Sequence, residues 1–466
     1  MRKIFRVLHR LFHRNAPYSL IGLFIFLFLL TLPILIDSSP LTVKEIKWMA
    51  LGKQHHPLEA LNYNNAPPLA VWIFGILDWI LGSSPIMRKM AALAILFFEV
   101  VYFSKMIVHR KVFESPTYIQ GVVMGLLILF SFDSISLTPD LFASLFLLPA
   151  LNRIMGEVSF GADRRSPAFM LGLYLGLASL CVFWHGLYLL AALLALALFS
   201  SLSARKAASL TLAFLFPHLL LLLLSACFDC VGNFIHFYYE SNFSSWSAGG
   251  FSWSSLFLES MALIVFLGIS LLQFWQRKSR SLFHSQVTLI MLLWLVASLA
   301  AVSFSEKYPH SLIACAPPIS LLFTTYIVGL QRKRRMEILL WLFLISMSFS
   351  LYWQRYKSKG KADYSLLYPV AKYREWQGKK ILALCHEPSL YLKNEPSAMF
   401  INWESCEEIF SAPQFYENQT AVAKAFAKDA PHVIVDPKNL MSDFLAHQPK
   451  LRERFKRQGD CWVLGR

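Results

Sequence analysis

The sequence predicts an all-α polytopic membrane bundle followed by a small C-terminal α/β domain, and three observations carry that reading. Hydrophobic residues make up 56% of the 466-residue chain and charged ones 15%. The apolar residues fall in runs near twenty long, the length a bilayer core demands. Basic residues gather in short linkers between those runs: MRKIFRVLHR at the start, HRK at 109–111, ADRR at 162–165, ARK at 204–206, QRKSR at 276–280 and QRKRR at 331–335. That is the positive-inside pattern. It accounts for the net charge of +16 without nucleic acid, which is excluded as a partner. Beyond residue 357 the composition changes to short strand-like runs separated by amphipathic stretches.

Residues 1–16 read as a cytoplasmic amphipathic basic segment. Ile4, Leu8, Leu11 and Phe12 share one helical face, and Lys3, Arg6, Arg10 and Arg14 lie on another. The first apolar run is long and meets no small-residue cleavage site, so it is a retained span rather than a signal peptide. About eleven spans follow from the twenty-residue rule, near 17–36, 87–108, 117–133, 139–155, 166–183, 185–202, 207–227, 253–275, 285–304, 311–330 and 336–353. This transmembrane domain covers 17–356, with an external loop at 37–86. Segment 68–82 is short for a span and carries Asp78, while Trp72 and Trp79 are seven apart on one face. It reads as an interfacial helix, because counting it as a span would put the basic linkers outside. Every basic linker then lies on one side, the N-terminus is cytoplasmic, and the C-terminal domain 357–466 is external and periplasmic, in a bacterial inner membrane.

In that domain KKILALC, SAMFIN, HVIVDP and CWVLGR read as strands, and FYENQTAVAKAFAK and LRERFKR as helices. No phosphate-binding glycine motif supports nucleotide binding. The seven cysteines show no metal spacing. Cys181 and Cys315 fit as small core residues. An external disulfide or redox pair at Cys227 and Cys230, and one bridge among Cys385, Cys406 and Cys461, are left open.

The polar loop after the first span carries Asp37, Glu45, His55, His56 and Glu59, where carboxylates and histidines stay wet at the surface of the lipid. Asp37 leaves the membrane at a position where partial desolvation raises carboxylate basicity. Glu45 is flanked by Lys44 and Lys47, so pairing on a surface helix is its alternative role. Arg88 begins the second span at the outer side, against the positive-inside bias. Asp133 and Asp140 flank another outer span end, with Asp140 also suited to favouring a helix dipole. Lys307, Tyr308 and His310 share the same predicted face. His185, between Trp184 and Gly186, reads as a turn residue. In 231–252, Phe234, Phe237, Tyr238, Tyr239, Phe243 and Trp246 are candidates for stacking on sugar or prenyl chain, with interfacial anchoring as the plainer alternative. Gly249 and Gly250 suggest a mobile tip.

Asn65-Ala66-Pro67-Pro68-Leu69 opens the interfacial helix, Leu81-Gly82-Ser83-Ser84 and Arg88 follow, Leu137-Thr138-Pro139-Asp140-Leu141 opens a later span, and Lys307-Tyr308-Pro309-His310 precedes Ala316-Pro317-Pro318. In this order they resemble the GT-C superfamily of membrane glycosyltransferases, especially its protein O-mannosyltransferase and aminoarabinose transferase branch. The resemblance covers roughly 17–330 in layout. It implies sugar transfer from a polyprenyl-phosphate donor to a cell-envelope lipid, glycan or protein at the outer face. Such chemistry needs a carboxylate to take the acceptor's proton and cationic donors to stabilise the departing phosphate. Asp37 and Glu45 are the candidates for the first task, and Arg88, Lys307, Tyr308 and His310 for the second. Asp133, Asp140, His55 and His56 form a possible secondary site. No cofactor is assigned; a divalent metal is an open alternative.

One departure matters. The branch places an adjacent Asp-Glu pair in the first loop, whereas Asp37 and Glu45 are eight apart here. Either one carboxylate suffices, or the chain is a non-catalytic scaffold or assembly subunit that meets envelope partners through 357–466. A transporter is disfavoured, since the ionisable residues sit at span ends and no duplicated half is visible.

Overall fold

The computed structural model describes residues 17–36, 41–53, 62–114, 116–129, 133, 135–158, 168–200, 202–244, 254, 260–276, 282–330, 333–357 and 376–465. Asp37, His55, His56, Glu59, Trp246, Gly249 and Gly250 lie outside them, as does the N-terminal basic segment.

The helices are α1 (Pro17–Ile36), α2 (Val43–Gly52), α3 (Pro68–Leu81), α4 (Pro85–His109), α5 (Ile119–Ile128), α6 (Pro139–Val158), α7 (Ala168–Ser179), α8 (Leu187–Phe199), α9 (Ala204–Cys227), α10 (Met261–Gln276), α11 (Leu282–Phe304), α12 (Ala316–Val328) and α13 (Lys333–Lys357). Short 3₁₀ turns at Phe183–Gly186 and Pro309–Cys315 lead into α8 and α12. Among the described residues, five stretches are long and apolar enough to cross a membrane: α4, α6, α9, α11 and Pro309–Val328. Tyr18–Leu32, Ile119–Ile128, Ala168–Ser179 and Phe183–Phe199 are apolar but shorter. Eleven crossings therefore stay an expectation.

Burial shows how these helices are solvated. In α9 the exposed positions Leu212, Phe216, Leu219 and Leu223 follow a helical spacing, and all are apolar, as a lipid-facing stripe requires. Helix α4 is the inverse: Arg88, Ala92, Leu96, Glu99 and Phe103 form one buried stripe, while Met87, Met90 and Phe98 are exposed. The buried stripe holds the ionisable Arg88 and Glu99, while these exposed positions are apolar. The protein is a multi-pass membrane protein.

The chain divides into two units, drawn from the described residues of 1–39, 86–218 and 247–363, and of 40–85, 219–246 and 364–466. In the first, α6 packs on α7, α5 on α12 and α8 on α11. The second joins the segment 40–85 and the 219–246 stretch to the C-terminal domain, a grouping that helical periodicity alone does not reveal.

The C-terminal domain holds a five-stranded sheet in the order β2-β1-β3-β5-β4, with β1 Lys380–Ala383, β2 Glu395–Pro396, β3 Val433–Val435, β4 Phe455–Gln458 and β5 Cys461–Leu464. The first three strands in that order are parallel, and β5 and β4 add antiparallel. Helices α14 (Trp403–Ser411), α15 (Tyr416–Lys428) and α16 (Leu440–Ala446) supply Phe410, Phe426 and Phe444 to its core. Two expectations are corrected here. SAMFIN is not a strand; the pairing partner of β1 lies just before it, at Glu395 and Pro396. The second half of LRERFKR is strand β4 rather than helix, because Phe455 must pair opposite Leu464 to reach the core. Its exposed Lys456 and Arg457 suit an edge strand, where charge discourages further pairing. All seven cysteines are free thiols, so neither proposed disulfide is present.

One ion pair gives this domain a pH dependence. Lys380 Nζ donates to Asp429 Oδ1 at 2.7 Å, and Asp429 also accepts from Ser397 and from the Ala398 amide. Burial pushes the Asp429 carboxyl up, but these donors together hold it below its ordinary value. A carboxylate depressed in the folded state stabilises above its unfolded pKa, and that contribution is lost as pH falls through the folded value. Thermal melts should therefore show the domain weakening below about pH 4, and Asp429→Asn should flatten that limb.

Candidate functional site

Helix α6 begins where the sequence dictates. Thr138 Oγ1 accepts from the Leu141 amide at 3.3 Å, Pro139 occupies the first helical position, and Asp140 follows in the first turn. There the free amide dipoles favour a carboxylate. His310 sits in the 3₁₀ turn that runs directly into α12. Asp133 precedes α6.

The fold brings these three together. His310 Nδ1 lies 2.8 Å from Asp133 Oδ2, and the His310 amide donates to the same oxygen at 3.3 Å. An ionised carboxylate only accepts, so Nδ1 carries the proton. On the other side of the ring, Nε2 is 3.5 Å from Asp140 Oδ2, too long for a hydrogen bond but close enough to feel its charge. All three side chains are buried. The Tyr308 ring stacks on the His310 ring, with centroids 5.4 Å apart. The His310 ring is thus held between two carboxylates. Such a constellation can fix the orientation of Asp140 and accept or pass a proton.

Sequence reasoning missed two members of this neighbourhood. His185, in the turn between α7 and α8, is fully buried and lies within electrostatic reach of Asp140. Tyr188 stacks edge-on against His185, and its hydroxyl meets Ser298 Oγ at 2.6 Å. The available signal was topological: the Trp184-His185-Gly186 turn falls on the same predicted face as Asp133, Asp140 and His310.

The remaining candidates are distributed. Arg88 and Lys89 are buried in the first turn of α4, not spread on a surface as head-group ligands would be. Lys307 is half-buried. Glu45 is buried in the second unit, in the first turn of α2 behind the Thr42 cap. Lys47, one of its flanking lysines, pairs with Glu404 of α14 at 2.9 Å. The sugar-stacking expectation fails for three aromatics. Phe234 and Tyr238 are buried and stack on one another at 5.2 Å, and Phe237 belongs to the C-terminal core. Their faces are already covered. Among the described residues, no group of three or more His, Cys, Asp or Glu side chains is arranged to hold a metal ion.

The multi-pass helical bundle and the small C-terminal α/β domain have a fold similar to that of a solved membrane protein. The comparison that supports this is with the crystal structure of ArnT from Cupriavidus metallidurans bound to undecaprenyl phosphate, which matches with a TM-score of 0.50 and 16% sequence identity. The match covers 71% of this chain and 63% of that one. No protein-family model and no curated protein matches the sequence.

Proposed function

We propose that this protein is a glycosyltransferase that moves a sugar from a polyprenyl-phosphate carrier to a cell-envelope acceptor at the outer face of a bacterial inner membrane. The observation that carries the reading is the buried meeting of Asp133, His310 and Asp140 in an ArnT-like bundle. Three chain segments whose ends the charge pattern assigns to one face contribute ionisable groups to one place. In the reaction, the acceptor hydroxyl oxygen attacks the anomeric carbon, the bond from that carbon to the phosphate oxygen breaks, and the polyprenyl phosphate leaves. The acceptor's proton passes to a carboxylate, for which Asp37, Glu45 and Asp140 are the candidates. The His310 ring is already engaged by Asp133, so stabilising the departing phosphate falls mainly to Arg88 and Lys307.

The alternative is a scaffold that keeps the fold without the chemistry. It is favoured by the absence of an adjacent acidic pair in the first loop. Membranes from a deletion strain decide between them. Wild type should restore transfer from a polyprenyl-phosphate-sugar pool, and replacing the true base among Asp37→Asn, Glu45→Gln and Asp140→Asn should lower it by about 10²–10⁴-fold at equal expression. If all three variants rescue the envelope phenotype fully, the scaffold reading replaces the enzyme.

A further inference from the structure

Asn402 occupies the N-cap position of α14 yet makes no capping hydrogen bond with its side chain. Asparagine at that position ordinarily accepts from the second or third helical amide. Here its Nδ2 donates to Ser405 Oγ of its own helix at 3.3 Å and also reaches outside it. It donates to Asn64 Oδ1 at 2.8 Å and to Asn65 Oδ1, both in the first external loop. The next residues of α14 follow suit. Ser405 Oγ accepts from the Asn65 amide at 3.0 Å, Cys406 Sγ donates to the Tyr63 carbonyl, and Glu404 pairs with Lys47 of α2. A third segment closes the arrangement: Asn242 Nδ2 donates to the Asn65 carbonyl at 2.8 Å, and Asn233 Nδ2 to Asn62 Oδ1 at 2.8 Å.

The loop does not adopt this shape by local preference. Tyr63 has φ of 54°, a left-handed conformation that a bulky residue rarely takes. Such strain persists where the surroundings over-determine it. The Tyr63 ring is held between Phe237 at 5.4 Å and Phe400 at 5.5 Å. Further along, α2 and α3 approach so closely that a Cβ on Gly52 would lie 2.6 Å from the Gly75 nitrogen, and α2 also rests on the Pro388–Leu392 turn of the C-terminal domain.

We propose that the C-terminal domain acts in cis, with the first external loop of its own chain as its partner, and that Asn402 is the positioning residue that holds this loop. The segment opening α3, Asn65-Ala66-Pro67-Pro68, is thereby set by residues some 340 positions later in the chain. The loop that carries Glu45 reaches its final shape only once the last domain has folded. The inference deepens the transferase reading by giving the domain a task.

Hydrogen exchange on the full-length protein in detergent tests it, and the readout needs no sugar transfer, so its outcome is separate from that of the transferase assay. Asn402→Asp is the informative variant. Aspartate caps a helix at least as well as asparagine, but it has no hydrogen to give to Asn64 and Asn65. Exchange at the Asn65 and Ala66 amides should rise at least tenfold, while the Leu382 and Ile434 amides in the sheet keep their protection. Ser405→Ala should accelerate the Asn65 amide in the same way. Unchanged exchange at Asn65 and Ala66 in both variants would overturn the proposal. So would a parallel rise in the sheet amides, which would make Asn402 a general stabiliser of the domain.

Discussion

Asp133→Ala is expected to destabilise the protein by about 1–3 kcal/mol, the cost of leaving the buried His310 donors without their acceptor. His310 would keep Asp140 at 3.5 Å but lose both of its bonds to Asp133. His310→Leu alone should also be costly, because Asp133 would then be buried without its imidazole donor. The double variant should cost markedly less than the sum, since it removes the pair together. A double-mutant cycle on thermal melts in detergent measures this coupling. Additive losses would mean that the two side chains are neighbours without being partners. Asp133→Asn separates charge from geometry, because the amide keeps an acceptor oxygen for Nδ1. That variant should remain near wild-type stability while losing the transfer activity proposed here. The contact then keeps its geometry without the Asp133 charge, so a loss of transfer would assign the effect to that charge.

That pair shows what was readable in advance. Asp133 and His310 are 177 positions apart, yet the positive-inside pattern assigns both to one face, and the fold brings them into contact. The start of α6 was equally legible, since a threonine cap, a proline and an acid at successive positions have one low-energy use. The grip of Asn402 on Asn64 and Asn65 was not legible. Asparagines in loops carry no periodic signal, and a side chain that forgoes its own helix cap looks identical in sequence to one that makes it. The same limit explains β4: LRERFKR has helical spacing, but a strand edge offered by β5 outweighs it. The aromatics near residue 237 failed for a different reason. Composition marks them as surfaces for stacking, whereas Phe237 is used to close the core of a domain that begins more than a hundred residues later.

Gly172→Ala should be the most damaging single-methyl change in the bundle. Gly172 and Gly176 stand one turn apart on α7, and both press on the backbone of α9. A Cβ at 172 would collide with the Leu210 carbonyl oxygen, and one at 176 would lie 2.5 Å from that of Phe214 and 2.8 Å from the Pro217 ring. Helices in lipid gain little from apolar burial, so they associate through close packing of small residues, and this pair is such a contact. A side chain could rotate away, but a helical carbonyl cannot, so α7 must shift as a body. Overpacking of this kind costs about 1–3 kcal/mol where neighbours relax, and a backbone obstacle places Gly172→Ala at the upper end or beyond. Gly268 in α10 supplies the opposite sign: among the described residues nothing lies within 4 Å of its would-be Cβ, so Gly268→Ala should be neutral or gain up to about 1 kcal/mol from helix propensity. Melting of the two variants beside wild type in one detergent reads the contrast directly. Equal tolerance would remove the close approach of α7 and α9 from the account. The consequence reaches the acid–histidine cluster, because α7 ends at Ser179, which bonds His218 of α9 at 2.8 Å, and then turns through His185 beside Asp140. Moving α7 moves that turn, so Gly172→Ala should impair transfer even where enough folded protein survives to be assayed.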